Sequence, residues 1–109
     1  MDVLETIKQQ ISENSVILFM KGSPNAPQCG FSQRTAQAVM GCGQRFAYVD
    51  VLANPDIRAS LPQYANWPTF PQLWVNGELV GGCDIVTEMH ENGELKPLLE
   101  AAVASGTSD

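Results

Sequence analysis

Hydrophobic residues change their spacing several times along this chain, and each change predicts a new helix or strand. Apolar residues at helical spacing from Val3 to Ile11 follow Asp2, which is placed as a helix cap, so the chain begins with a helix. The run from Val16 to Met20 is continuously apolar and partly β-branched, the pattern of a central strand covered on both faces. A helical pattern from Phe31 ends at two glycines, and residues 46–51 return to strand alternation. The first half therefore predicts a helix, a strand, a helix and a strand.

The second half predicts a helix, a hairpin and two further helices. Asn54-Pro55 has the residue types of a helix cap followed by a first helical position, and prolines bracket the end of the helix that it opens. Residues 70–75 and 78–80 have strand patterns, and an Asn-Gly pair joins them. Because Asn-Gly accepts the positive φ angles of a type I′ turn, these two strands are expected to be antiparallel neighbours. Further helical patterns cover residues 83–89 and 95–103.

The order of these elements predicts an α/β fold. The two strands of the strand-helix-strand unit are expected to be parallel, since such crossovers are right-handed and join parallel strands. The hairpin adds antiparallel pairing. We therefore expect a thioredoxin-like arrangement, with a small four-stranded mixed sheet and helices on both of its faces. At 109 residues the chain predicts one domain over residues 1–105, followed by a flexible tail over residues 106–109.

Composition and charge narrow the expected partners and location. The formal net charge is -6, and the six Lys and Arg residues are scattered, whereas nucleic acids and anionic membranes require clustered positive charge. We therefore expect neither as the main partner. The apolar runs are too short to span a bilayer, and the first residues lack a secretory or transit pattern. Three cysteines without a framework spacing fit a reducing compartment, so we expect a cytoplasmic protein.

The candidate chemistry lies in Cys29-Gly30-Phe31-Ser32, a C-x-x-C redox site whose second sulfur is replaced by oxygen. In a dithiol of this spacing the second thiolate attacks the mixed disulfide that the first has formed, and Ser32 cannot do so. Cys29 must therefore react with a thiol of another molecule, react with a distant cysteine of this chain, or bind a metal. Its predicted place at the start of a helix favours the thiolate, and Lys21 adds positive charge nearby.

Four sequence blocks match one family in order and spacing. They read M-K-G-S-P, P-Q-C-G-F-S, W-P-T-F-P-Q and G-G-C-D, at residues 20–24, 27–32, 67–72 and 81–84. The chain resembles the monothiol glutaredoxins of the C-G-F-S class. The similarity runs from the first predicted helix to the last, and a lone C-x-x-S would be much less specific.

The resemblance implies a glutathione site. Glutathione carries two carboxylates, an ammonium group and a thiol, so its site needs cations, N–H donors and a carboxylate. In this family two cations hold the glycine carboxylate, the backbone ahead of a cis proline pairs with the cysteine residue, and the start of a helix holds the γ-glutamyl end. The residues at these positions are, in the same order, Lys21 and Arg58, Thr69 and Phe70, and Cys83 and Asp84.

The resemblance also implies a [2Fe-2S] cluster, which usually takes four thiolate ligands. The three cysteines are Cys29, Cys42 and Cys83, and no two of them form a C-x-x-C pair, so one chain is not expected to enclose a cluster. In the family two subunits each supply the cysteine that matches Cys29 and one bound glutathione thiolate. We therefore expect a homodimer in the cluster-loaded form, with iron-sulfur donor and recipient proteins as further partners.

Three functions stay open on the sequence. The favoured one is an iron-sulfur carrier that stores a cluster and transfers it to recipient proteins. The second is a glutathione-dependent oxidoreductase that removes glutathione from mixed disulfides through Cys29, and any such activity is expected to be weak. The third is a regulatory module that forms a heterodimer with a BolA-type protein. Cys83 could also act as a resolving thiol for Cys29, whereas Cys42 is expected to be a packed residue.

Overall fold

A computed structural model describes residues 2–105 of the chain, and the tail predicted for residues 106–109 lies outside the described residues. The predicted helices are present. They are α1 (Val3–Glu13), α2 (Gly30–Gly41), α3 (Pro55–Ala65), α4 (Cys83–Glu91) and α5 (Leu95–Ser105). The strands are β1 (Val16–Met20), β2 (Gly22–Ser23), β3 (Ala26–Pro27), β4 (Ala47–Asp50), β5 (Gln72–Val75) and β6 (Glu78–Gly81). Within the described residues none of the helices is long and apolar enough to cross a membrane.

The main sheet has four strands in the order β4-β1-β5-β6, which confirms the predicted mixed sheet. β1 is parallel to β4 and antiparallel to β5, so Leu18 lies between Tyr48 on one side and Leu73 on the other. β5 and β6 form the predicted hairpin. Both turn residues have positive φ, 51° at Asn76 and 80° at Gly77, as a type I′ turn requires.

Two hydrophobic clusters cover the two faces of this sheet, and β1 contributes to both. Val16, Leu18 and Met20 pack among residues of α2, α4 and α5. The alternate residues Ile17 and Phe19 pack among residues of α1 and α3. Because side chains alternate across a strand, burial on both faces explains why β1 is apolar at every position. This confirms the expectation that helices lie on both faces.

Helix starts agree with the sequence in one case and differ in another. Asp2 caps α1, and its Oδ1 accepts a hydrogen bond from the backbone N–H of Glu5 at 3.0 Å. Asn54 occupies the N-cap position of α3, but its side chain makes no capping hydrogen bond. Its Nδ2 donates instead to the backbone oxygen of Asp50 at 2.9 Å. The Asn54 side chain therefore ties α3 to the end of β4 rather than to its own first turn.

A small ribbon of β2 and β3 stands where the sequence predicted only a loop. Gly22 pairs with Pro27, and Ser23 pairs with Ala26. Strands of two residues are too short to produce a recognisable hydrophobic period, so the pattern could not reveal them. The ribbon joins β1 to α2 and thereby leads from Lys21 to Cys29.

Candidate functional site

A cavity of about 670 Å³ lies between the end of β1, helix α3, the segment before β5 and the start of α4. It is lined by all six residues of the implied glutathione site, which come from four separate parts of the chain. They are Lys21, Arg58, Thr69, Phe70, Cys83 and Asp84. Cys29 is not among the lining residues that the structure describes, but Phe31 is, and so is Lys21, whose charge acts on the Cys29 sulfur. The structure thus brings the predicted residues together, and the role of each stays a prediction.

Cys29 is the N-cap residue of α2 and is partly exposed. Its Sγ accepts a hydrogen bond from the backbone N–H of Ser32, with an N···S distance of 3.3 Å. The same sulfur lies 3.3 Å from Ser32 Oγ. The sulfur thus caps the helix as a side-chain oxygen commonly does, and it sits where free N–H groups and the helix dipole favour negative charge.

Ser32 has a role that the sequence reasoning missed, because that reasoning treated it only as the absent second thiol. The side chain is fully buried. Its Oγ accepts a hydrogen bond from the backbone N–H of Lys21 at 3.1 Å, so its own hydrogen is free to be donated to an ionised Cys29 sulfur. The three-residue spacing from an N-cap position is the sequence signal that could have indicated this contact.

The surroundings of Cys29 and Cys42 shift the pKa values of the two thiols in opposite directions. Burial by itself raises the pKa of Cys29, but hydrogen bonds from Ser32 and the backbone of Phe31, together with the charge of Lys21, outweigh it and lower that pKa overall. Burial raises the pKa of Cys42, which lies in the core cluster with its Sγ–H donated to the backbone oxygen of Ala38. Cys29 is therefore the more acidic thiol of this pair, and Cys42 is held as a thiol.

We expect Ser32→Ala to raise the pKa of Cys29, because the variant loses the hydroxyl that can donate to the thiolate. The pH profile of alkylation by iodoacetamide should then move to higher pH, with slower reaction near neutrality. The free energy of unfolding should fall by about 1 kcal/mol, since the N–H of Lys21 loses its acceptor. Ser23→Ala is the matched control, because Ser23 Oγ accepts a hydrogen bond from Ala26 N within the β2 and β3 ribbon. An unchanged alkylation profile in Ser32→Ala would show that the hydroxyl does not stabilise the thiolate.

The wall before β5 is held by a buried glutamine. Gln72 is fully buried, and its Nε2 donates to the backbone oxygens of Trp67 and Thr69 at 3.1 and 3.2 Å. Its Oε1 accepts from Trp74 Nε1 at 3.1 Å. The peptide bond between Phe70 and Pro71 is cis, as the resemblance implied. One side chain thus anchors the segment that contains Thr69 and Phe70.

Apolar groups also line the cavity, and the sequence reasoning assigned them no role there. Phe31 is 58% exposed and Ile85 is 40% exposed, and both belong to the lining. Trp67 lines the cavity as well, and its Nε1 is buried without a hydrogen-bond partner among the described residues. Among residues 2–105 no three His, Cys, Asp or Glu side chains are grouped so that they could hold a metal ion by themselves. The cavity is therefore cationic at Lys21 and Arg58 and partly apolar elsewhere.

Comparison with known proteins agrees with this arrangement. A family model described as Glutaredoxin matches residues 16–80, which is more than half of the chain. The chain belongs to the glutaredoxin family. It is 62% identical over 106 residues to Glutaredoxin 4 of Escherichia coli, and the alignment covers 97% of this glutaredoxin and 92% of that protein. The C-G-F-S sequence at residues 29–32 makes it a monothiol glutaredoxin.

Solved glutaredoxins share the fold. The solution structure of reduced poplar apo GrxS14 is 42% identical in sequence, with a TM-score of 0.79 and coverage of 94% of this glutaredoxin and 94% of that chain. The crystal structure of a buckwheat glutaredoxin-glutathione complex is 28% identical, with a TM-score of 0.78 and coverage of 93% of this glutaredoxin and 90% of that chain. The thioredoxin-like fold expected from the sequence is thereby confirmed.

Proposed function

We propose that this glutaredoxin binds glutathione in the cavity and carries a [2Fe-2S] cluster between two copies of the chain. The observation that carries the proposal is one activated sulfur, Cys29, beside a cavity with two cations, where a second thiol is replaced by Ser32. Such a sulfur can be a metal ligand or a nucleophile, but it cannot complete a disulfide with its neighbour in the motif. Its partner sulfur must come from elsewhere, and glutathione supplies one.

The cavity has the groups that glutathione requires. Lys21 and Arg58 suit the glycine carboxylate, since one supplies a compact charge and the other a planar fork of donors. The backbone of Thr69 and Phe70 is available for pairing with the cysteine residue of the tripeptide. At the start of α4, backbone N–H groups suit the γ-glutamyl carboxylate, and the exposed carboxylate of Asp84 suits the ammonium group. The buckwheat glutaredoxin-glutathione complex, which shares the fold, supports this assignment.

The cluster is proposed as cargo. Four thiolates are needed, and each copy of the chain would supply Cys29 and one bound glutathione, which makes four across a homodimer. Cys42 is buried and held as a thiol, so it is not the source of a ligand. Because two of the four ligands are exchangeable small molecules, the cluster would pass readily from donor proteins to recipient proteins. We place this transfer in the cytoplasm, because a reducing compartment keeps cysteines such as these as free thiols.

Anaerobic reconstitution tests the carrier function. The purified protein is incubated with iron, sulfide and glutathione without oxygen, and its absorption spectrum and mass in solution are measured. We expect visible charge-transfer absorption and a dimer when glutathione is present, and a colourless monomer when it is omitted. A colourless protein in both samples would reject the proposal.

A second candidate function rests on the lowered pKa of Cys29. The thiolate would attack the glutathione sulfur of a protein mixed disulfide, and the protein thiolate would leave. A second glutathione thiolate would then attack the Cys29 mixed disulfide, which frees Cys29 and releases glutathione disulfide. A mixed-disulfide reduction assay tests this route, since rapid turnover supports it and turnover near the uncatalysed rate rejects it.

The family resemblance also supports a BolA-type protein as an alternative partner, which co-purification with and without glutathione would detect.

A further inference from the structure

Asp50, the last residue of β4, accepts four hydrogen bonds that tie together two neighbouring segments. Its Oδ1 accepts from the backbone N–H groups of Gly22 and Leu52, each at 2.9 Å. Its backbone oxygen accepts from Ala53 N at 3.1 Å and from Asn54 Nδ2 at 2.9 Å. Gly22 belongs to the ribbon after β1, and Asn54 is the N-cap residue of α3. Asp50 therefore connects the ribbon to the start of α3 by hydrogen bonds to both.

Each of these segments contains one cation of the cavity. Lys21 immediately precedes Gly22, and its own backbone is held at both ends, by N–H donation to Ser32 Oγ and by acceptance from Gln28 N. Arg58 lies in the first turn of α3, and its N–H donates to the backbone oxygen of Asn54 at 3.0 Å. The backbone of Lys21 thus adjoins a residue that is hydrogen-bonded to Asp50, and the backbone of Arg58 is hydrogen-bonded to such a residue.

We infer that Asp50 is a positioning residue that sets the separation of Lys21 and Arg58, so that both cations reach one carboxylate of the ligand. The inference rests on the proposed glutathione site and names the glycine carboxylate as the group that depends on Asp50. Two-point binding of a carboxylate requires both cations at a defined spacing, and a shift of about 1 Å in such a site is costly. Asp50 itself need not touch the ligand.

The sign of the effect separates positioning from charge. If Asp50 acted only through its negative charge, it would oppose the binding of an anion, and removal of the charge would tighten binding. Asp50→Asn removes the charge but keeps an acceptor oxygen at the same place. Asp50→Glu keeps the charge but moves the carboxylate by one methylene group. Relative to wild type, positioning therefore predicts weak binding in Asp50→Glu and nearly normal binding in Asp50→Asn. Charge alone predicts nearly normal binding in Asp50→Glu and tighter binding in Asp50→Asn.

The test is a titration of the full chain, followed by NMR of the backbone amides, with S-methylglutathione and with its glycine carboxamide analogue. S-methylation prevents reaction with Cys29, so only the non-covalent site is measured. We expect wild type to prefer the carboxylate form and Asp50→Asn to retain its affinity within about threefold. Asp50→Glu should bind the carboxylate form about tenfold more weakly while its affinity for the carboxamide is unchanged. Asp56→Asn is the control, because it removes an exposed carboxylate from the first turn of α3.

The comparison of the two ligand forms decides the outcome. A wild-type preference for the carboxylate that persists in Asp50→Glu would overturn the inference and leave the glutathione site intact. An equal loss of both forms in Asp50→Glu would show a general structural role and would also overturn it. A wild type that binds neither form would overturn the proposed site and the inference together. If Asp50→Glu does not fold, as judged by its amide spectrum, Asp50→Ser removes the acceptor by shortening the side chain and is subject to the same criteria.

Discussion

Cys29→Ser should emerge from anaerobic reconstitution without colour and as a monomer, and it should form no adduct with glutathione disulfide. The sulfur that this substitution removes is the helix-capping group with the lowered pKa, and an alcohol at that place is neither a thiolate ligand nor a nucleophile near neutrality. The absorption spectrum, the mass in solution and the mass of the covalent adduct check this. The loss is expected to be complete, because no other sulfur adjoins Cys29 in its motif.

Cys83→Ser is the matched control for this experiment. Cys83 lines the same cavity and is buried, and the proposed site uses its backbone rather than its sulfur. We expect the control to retain colour, dimer formation and the glutathione adduct. Visible absorption that survives in Cys29→Ser but disappears in Cys83→Ser would transfer the ligand role to Cys83 and refute the proposed cluster site.

Gly22→Ala should cause a large loss of stability. Gly22 has a φ of 90°, where an L-residue is strained by about 1 to 2 kcal/mol. A Cβ at this place would also lie 2.5 Å from the backbone oxygen of Ala26 and 2.8 Å from the N–H nitrogen of Gln28, and neither can move without opening the ribbon. We expect the free energy of unfolding to fall by about 3 kcal/mol or more, since overpacking adds to the strain. Urea denaturation measures it.

Gly93→Ala separates the cost of backbone strain from the cost of steric overlap. Gly93 has a similar φ of 76°, but a Cβ there meets no atom within 4 Å. The control should therefore lose about 1 to 2 kcal/mol from backbone strain alone. It should also bind S-methylglutathione normally, whereas any folded Gly22→Ala should bind it weakly, because Lys21 adjoins the distorted ribbon. Equal destabilisation by the two substitutions would show that the ribbon yields to the added methyl group.

Much of the fold follows from local pattern. Burial of β1 on both faces explains its unbroken apolar run, and the positive φ angles at Asn76 and Gly77 explain why those residue types stand at the turn. The energies of the turn act between near neighbours in the chain, and an unbroken apolar run is itself visible in the order of the residues. The sequence pattern did not predict the β2 and β3 ribbon, because its short strands have no hydrophobic period and its pairing depends on Gly22.

The sequence likewise predicted some features of the candidate site and not others. The C-G-F-S block limits Cys29 to reactions that need a partner sulfur or a metal, since this limit is a matter of which atoms are present. The resemblance supplied the glutathione residues. The hydrogen bond from Gly22 N to Asp50 Oδ1 could not be read in this way, because it spans 28 positions of the chain and exists only once β1 and β4 are paired.

By itself, then, the amino-acid sequence determined the types and order of the five helices and the four strands of the main sheet, and the single-sulfur chemistry of Cys29. Only the tertiary structure decided that the Ser32 hydroxyl accepts a hydrogen bond from the backbone of Lys21 and that Asp50 joins the segments of Lys21 and Arg58. The physical reason is that helix periods, turns and atom types are local properties, whereas the spacing of two cations depends on how the assembled sheet orients the segments that contain them.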